Sequence, residues 1–214
     1  MGLEVFRKII SGKESTRGTA VTGKTILHGG FQASPEVTWH RPTDERGSLA
    51  EFKRAVATAH QCTARFQGDA LYDELQIWLS MCLKGGISPT TPTNGSLTRL
   101  WTFTPSLTSA NTQDAFTFEF GDPDQNWKMP FGVCRGLEFG LSMGEVVSLS
   151  ADIIGQFPAK MSGFSVASVS AENDDIREVR MDSAKIYINS TWGTLGNTNF
   201  ASSLAGGSIS LNSG

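Results

Sequence analysis

Gly18-Thr19-Ala20-Val21-Thr22-Gly23-Lys24-Thr25 fits the phosphate-loop pattern GxxxxGKT letter for letter. In such a loop the backbone N–H groups cradle phosphates, and the lysine, here Lys24, reaches the terminal ones. That chemistry requires a buried strand directly before the loop and a helix directly after it. Ser11-Gly12-Lys13-Glu14-Ser15-Thr16-Arg17 in front reads as no strand, and the glycines of Thr25-Ile26-Leu27-His28-Gly29-Gly30 break any helix behind. A nucleotide site therefore weighs less than chance in a Gly- and Thr-rich segment. His28, His40 and His60 have no metal-ligand spacing with one another or with Cys62, Cys82 and Cys134. They read as surface or satisfied core histidines, with His60 on an apolar strand face. Asp73-Glu74 and Asp174-Asp175 are adjacent carboxylates. Neighbours in sequence do not point together on a helix, so both pairs read as solvated; a weak cation hold is the alternative at Asp174-Asp175. No Gly-x-Ser-x-Gly elbow occurs. The sequence thus asks for no catalytic residue, no cofactor and no metal.

The elements that would position any site are mostly strands. Residues 58–67 alternate, with His60, Cys62, Ala64 and Phe66 facing one way and Gln61, Thr63, Arg65 and Gln67 the other, which predicts a strand with one buried face. A helix over 69–84 is expected next. Asp69 would cap it, Leu71, Leu75, Trp78, Leu79 and Cys82 would form its apolar stripe, and Gly85-Gly86 would stop it. Further strands are expected at 100–104, 115–121, 131–143, 145–154, 184–192 and 208–211, with a tight turn at Met143-Gly144-Glu145. On them Trp101, Phe103, Phe116, Phe118 and Phe120 would be sheet core, and the third strand would alternate strictly from Phe131 to Leu141. Consecutive antiparallel strands with a single helix predict a mainly β fold, an antiparallel sandwich or barrel with one flanking helix.

Residues 1–30, Gly-rich and polar, read as an extended N-terminal arm. Residues 34–54 turn charged and read as a long loop, with Ser48-Leu49-Ala50-Glu51 as a candidate capping box. This loop carries Trp39, Arg41, Asp44, Glu45 and Arg46 with no core face of its own, which marks it as an assembly element. Trp39 and Trp127 both read as lying in polar loops, where an exposed indole suits a subunit contact.

Composition bounds the rest. A chain of 214 residues predicts one domain, and 39% hydrophobic residues can fill its core. A net charge of −3 leaves no basic footprint, which argues against a tight, sequence-reading nucleic-acid protein. No apolar run approaches the ~20 residues of a membrane helix, and the N-terminus shows no signal-peptide core. The three cysteines are therefore expected to be reduced and buried, in a protein that is cytoplasmic when made.

Several segments, in order, resemble the major tail tube protein of long-tailed, non-contractile bacteriophages. They begin with Gly12-Lys13-Glu14-Ser15-Thr16-Arg17-Gly18-Thr19-Ala20-Val21, then Gly68-Asp69 with Tyr72-Asp73-Glu74-Leu75, then Trp101-Thr102-Phe103-Thr104-Pro105. Phe116-Thr117-Phe118-Glu119-Phe120-Gly121-Asp122, Val147-Ser148-Leu149-Ser150-Ala151-Asp152, Ala184-Lys185-Ile186-Tyr187-Ile188 and Ser208-Ile209-Ser210-Leu211 follow. Each motif alone is weak, and their order and spacing carry the resemblance. It implies a structural virion protein and not an enzyme. Hexameric rings would stack into a tube around a tape measure protein, bounded by tail terminator and distal tail proteins. The tube would conduct DNA, and the subunit would move from host cytoplasm to the virion tail without a membrane. Part of each subunit's sheet would join a continuous inner barrel, with Gln61, Thr63, Arg65 and Gln67 toward the lumen. Relatives often continue past the equivalent of Gly214. A carbohydrate- or protein-binding β-sandwich using Trp39 or Trp127 as a platform is the competing reading.

Overall fold

A computed structural model describes residues 7–42, 54–90, 99–106, 108–164, 176–181 and 206–212. The chain is mainly β with one flanking helix, as expected. Its strands are β1 Lys8–Lys13, β2 Thr25–Ile26, β3 Gly30–His40, β4 Val56–Asp69, β5 Phe116–Gly121, β6 Asn126–Ser142, β7 Ser148–Gly155, β8 Ala159–Lys160 and β9 Gly206–Asn212, with helix α1 over Tyr72–Cys82. All pairings are antiparallel, in the order β2-β1-β5-β6-β7-β4-β3, with β8 and β9 also on β6. The path is open and does not close into a barrel.

The sheet nevertheless folds over itself. Strands β3 and β5 stand four places apart in the order, about 19 Å in a flat sheet. Yet the Phe31 ring of β3 lies 5.4 Å from Phe118 and 4.9 Å from Phe120 of β5. The corner is made by β6, which pairs with β5 through its first half and with β7 and β9 through its second. At the corner Phe131 has a φ of 56°, a left-handed conformation that a bulky side chain adopts only when its surroundings enforce it. Its N–H donates to Glu14 Oε1 at 2.7 Å. The next residue must be Gly132, because a Cβ there would stand 2.4 Å from the Phe118 ring.

Alternation succeeds where a strand has one covered face. Cys62, Ala64 and Phe66 are buried on β4, and Leu149, Ala151 and Ile153 on β7. Gln61, Thr63, Arg65 and Gln67 are exposed opposite them. The turn at Met143-Gly144 joins β6 to β7, with Gly144 at a φ of 80°, and β9 forms where a strand was expected.

Other expectations are corrected. Lys8–Lys13 is no free arm: β1 lies between β2 and β5, and Ile9 and Ile10 are buried. The short apolar pair inside a polar stretch was enough to hold it in the sheet. Asp69 ends β4 and does not cap the helix; α1 starts after Leu71 with no side-chain cap. Its buried face is Glu74, Ile77, Trp78, Met81 and Cys82, with Leu75 and Leu79 at the margin. The stripe is rotated toward Ile77 and Met81, and Glu74, counted as solvated, lies on the buried side against His28. Residues 100–104 form no strand and Trp101 is 37% exposed, so this segment is surface and not sheet core. On β6 strict alternation fails, because a register irregularity between Cys134 and Gly136 turns Arg135 outward and Leu137 inward. The expected capping box at 48–51, the strand at 184–192 and Asp174-Asp175 lie outside the described residues.

Candidate functional site

The phosphate-loop match is occupied by the protein itself. Gly18 N–H donates to Glu14 Oε2 at 2.7 Å, Val21 N–H to Thr117 Oγ1 at 3.1 Å, and Gly23 N–H to Glu119 Oε1 at 3.4 Å. Lys24 N–H joins Ser11 O at 2.8 Å, and Thr25 then opens a strand, not a helix. Contrary to the sequence reading, a strand does precede the loop, since Ser11 to Lys13 end β1. These amides are already spent on protein acceptors, and the Glu14 and Glu119 carboxylates among those acceptors would repel a phosphate. Glu14 also accepts from Thr117 Oγ1 at 2.8 Å, and Lys128 Nζ pairs with Glu119 at 2.9 Å. The segment is thus a structural strap over β5. Lys24→Ala is expected to leave folding and assembly unchanged; ATP or GTP hydrolysis that this change abolishes would refute that reading.

His28 and Glu74 form the one His–carboxylate contact among the described residues, with Glu74 buried and His28 partly exposed. Glu74 Oε1 accepts from His28 N–H at 2.9 Å and lies 2.8 Å from His28 Nδ1. Burial pushes the Glu74 carboxyl above its ordinary value, and the His28 hydrogen bonds pull it partway back. The folded state therefore holds this proton more tightly than the unfolded chain. Its stabilising contribution is full below the ordinary glutamate pKa and is lost as pH rises through the raised one. The stability of the native protein relative to Glu74→Gln should fall across that window in urea titrations. A difference independent of pH would show that Glu74 does not titrate there. His40 is exposed, and His60 packs edge-on against Phe157 at 5.5 Å.

The surfaces fit for contact lie on the half of the sheet ordered β9-β6-β7-β4-β3. Its outer face is mostly polar rungs, with Ile154 exposed and Val133 half-buried on the rung of Thr63. Gln32, Arg65 and Asp152 share one rung with Gly136 and Asn212; Gln67, Ser150, Glu138 and Ser210 share the next. Arg65 donates to Ser150 Oγ from Nε at 3.4 Å and from Nη2 at 3.3 Å, and lies 3.9 Å from Asp152. Gln61 Nε2 donates to Glu36 Oε2 at 3.1 Å. The predicted polar set thus occupies one continuous face, but its partners on β3, β6, β7 and β9 were not singled out from sequence. Only the register reveals them.

The first part of the expected loop at 34–54 is not a loop: residues 34–40 belong to β3, and 43–53 lie outside the described residues. Residues 36–40 and 56–61 form a two-stranded ribbon, paired as far as His40 and Val56, that runs past the core, so most of them are exposed. Pairing with β4, not polarity, decides this segment. Trp39 is 54% exposed on the ribbon, beside Val56. Arg41 follows and is exposed; Asp44, Glu45 and Arg46 lie outside the described residues. Trp127 is not in a loop. It pairs with Phe120 on β5, is half-buried, and lines a cleft of about 840 Å³ with Arg7, Lys8, His28 and Phe31. That cleft is at the start of β3 and the ribbon at its end, so the structure does not bring Trp39 and Trp127 together.

Among the described residues, β3 and β9 each pair on one side only. No helix among them is long and apolar enough to cross a membrane. No protein-family model and no curated protein matches the chain.

Proposed function

We propose that the protein is a structural virion subunit, the major tail tube protein of a long-tailed bacteriophage. In this reading hexameric rings stack into a conduit around a tape measure protein. Tail terminator and distal tail proteins bound the tube, and DNA passes through it without lasting contact. The observation that carries the reading is the five-stranded half-sheet with a mostly polar outer face and two single-paired edges. An edge of 11 residues in β3 is a liability in a free monomer and a joint in a ring. Closing β3 of one subunit toward β9 of the next removes both edges through a heterologous contact, the kind that generates rings. The polar rungs then face the lumen. Arg65 and Arg135 are interspersed there with Glu138 and Asp152, which suits a wall past which a polyanion slides. The ribbon supplies contacts between rings.

Negative-stain microscopy of the purified protein tests this. Sixfold rings or tubes support it; isolated globular particles at every protein concentration overturn it. The exposed Trp39 also favours a second reading, a carbohydrate-binding sandwich, since an indole on a polar ribbon can stack on a sugar ring. Glycan-array binding that Trp39→Ala abolishes would select that reading.

A further inference from the structure

Two of the three cysteines meet in the core. Cys82 ends α1 and Cys134 lies on β6; both are free thiols and buried. The Cys82 thiol donates to Leu211 O on β9 at 3.6 Å, and the Cys134 thiol to Gly136 O at 3.2 Å. In the β6–β9 ladder Gly136 faces Asn212 and Leu137 faces Leu211, so the two accepting carbonyls belong to adjacent rungs. The two sulfurs therefore meet at neighbouring carbonyls under the same pair of rungs. That contact draws the Cys82 thiol below its ordinary pKa, while the same contact and burial push Cys134 up. Cys62 is placed differently. It lies on β4, and β7 separates β4 from β6. Two strand spacings are about 10 Å, beyond the ~7 Å between Cα atoms that a disulfide spans.

We propose that Cys82 and Cys134 form a redox pair that a small peroxide converts to an intramolecular disulfide, tying the end of α1 to β6 beneath β9. The Cys82 thiolate attacks one peroxide oxygen, the O–O bond breaks, and hydroxide leaves, so that Cys82 becomes a sulfenic acid. The Cys134 sulfur then attacks the Cys82 sulfur. The S–O bond breaks, the S–S bond forms, and the Cys134 proton leaves with the hydroxyl as water. Two thiols are oxidised and one hydrogen peroxide is reduced to two waters. Cys82 acts first because the more acidic thiol supplies the nucleophilic thiolate. Strand β9 lies against the Cys82 end of the pair, through Leu211.

The test treats the folded protein with hydrogen peroxide, removes the oxidant, unfolds the chain and alkylates the remaining thiols before peptide mapping. Alkylatable cysteines should fall from three to one, leaving Cys62, with a peptide joining Cys82 to Cys134 that is two hydrogens lighter than its parts. Cys62→Ser should form the same link. Cys134→Ser should stop at a Cys82 sulfenic acid that a dimedone probe captures. Three intact thiols, a link through Cys62 or between two chains, or Cys82 over-oxidised without a link would each overturn the proposal.

Discussion

A chain in which residues 37–60 are replaced by Asn-Gly is expected to fold as a soluble monomer and to build no tubes. The cut is set by register. Glu36 faces Gln61 across β3 and β4, so a two-residue turn can join them without displacing either strand. Everything removed lies beyond Cys62, the first fully covered residue of β4. The ribbon contributes little to the core, and the thermal midpoint should stay within about 4 °C, the shift that ~1 kcal/mol makes in a chain of this size. Assembly should be lost because the ribbon carries the exposed Trp39 and Val56 and leads to Arg41, Asp44, Glu45 and Arg46. An exposed aromatic among mixed charges suits a contact formed late, between subunits that must first stay soluble, since rim charges tune encounter and specificity. Microscopy and sedimentation decide the matter. Tubes of normal length from the shortened chain would mean that ring stacking rests on other surfaces.

Trp78→Ala is expected to cost about 3–5 kcal/mol, the range for truncating a large core aromatic. Trp78 is 0% exposed and lies between the two layers. Its ring is 4.5 Å from Phe66 on β4 and 6.4 Å from Phe118 on β5. It therefore joins the helix to both halves of the folded sheet, and neither half can collapse into the vacated space without breaking its own ladder. A domain holds only about 5–15 kcal/mol in total, so the variant should be close to unfolded at moderate temperature. Urea titration with unchanged slope measures the loss. A value below about 1 kcal/mol would show that the helix does not bridge the layers.

How much of this was legible depends on whether a residue's neighbours are local. The faces of β7 and of β4 from Gln61 onward were read correctly from alternation, because one side is covered there; His60, expected on the buried face, is exposed because β4 runs past the core before Cys62. The same rule failed on β6, where the irregularity after Cys134 shifts the phase by one residue. A bulge leaves no mark in composition. Trp127 and Trp101 exchanged expectations for a related reason. Polar neighbours made Trp127 look like a loop residue, yet cross-strand pairing with Phe120 and Lys160 holds it in β6. Trp101 has strand-like neighbours but no partner strand among the described residues.

The sequence by itself determined that the protein is mainly β, with one helix near Tyr72–Cys82 and an outward polar row on β4. These follow from side-chain periodicity, which acts over a few residues. Only the tertiary structure decided the fate of Glu14, Glu74 and Glu119. All three are buried, each held by donors from distant parts of the chain, and all would read as surface charges. The structure likewise decided that the phosphate-loop match is a strap and that residues 34–40 of the expected loop are strand. Burial of a charge and the pairing of a strand are settled by partners brought together through folding, and spacing along the chain does not encode them.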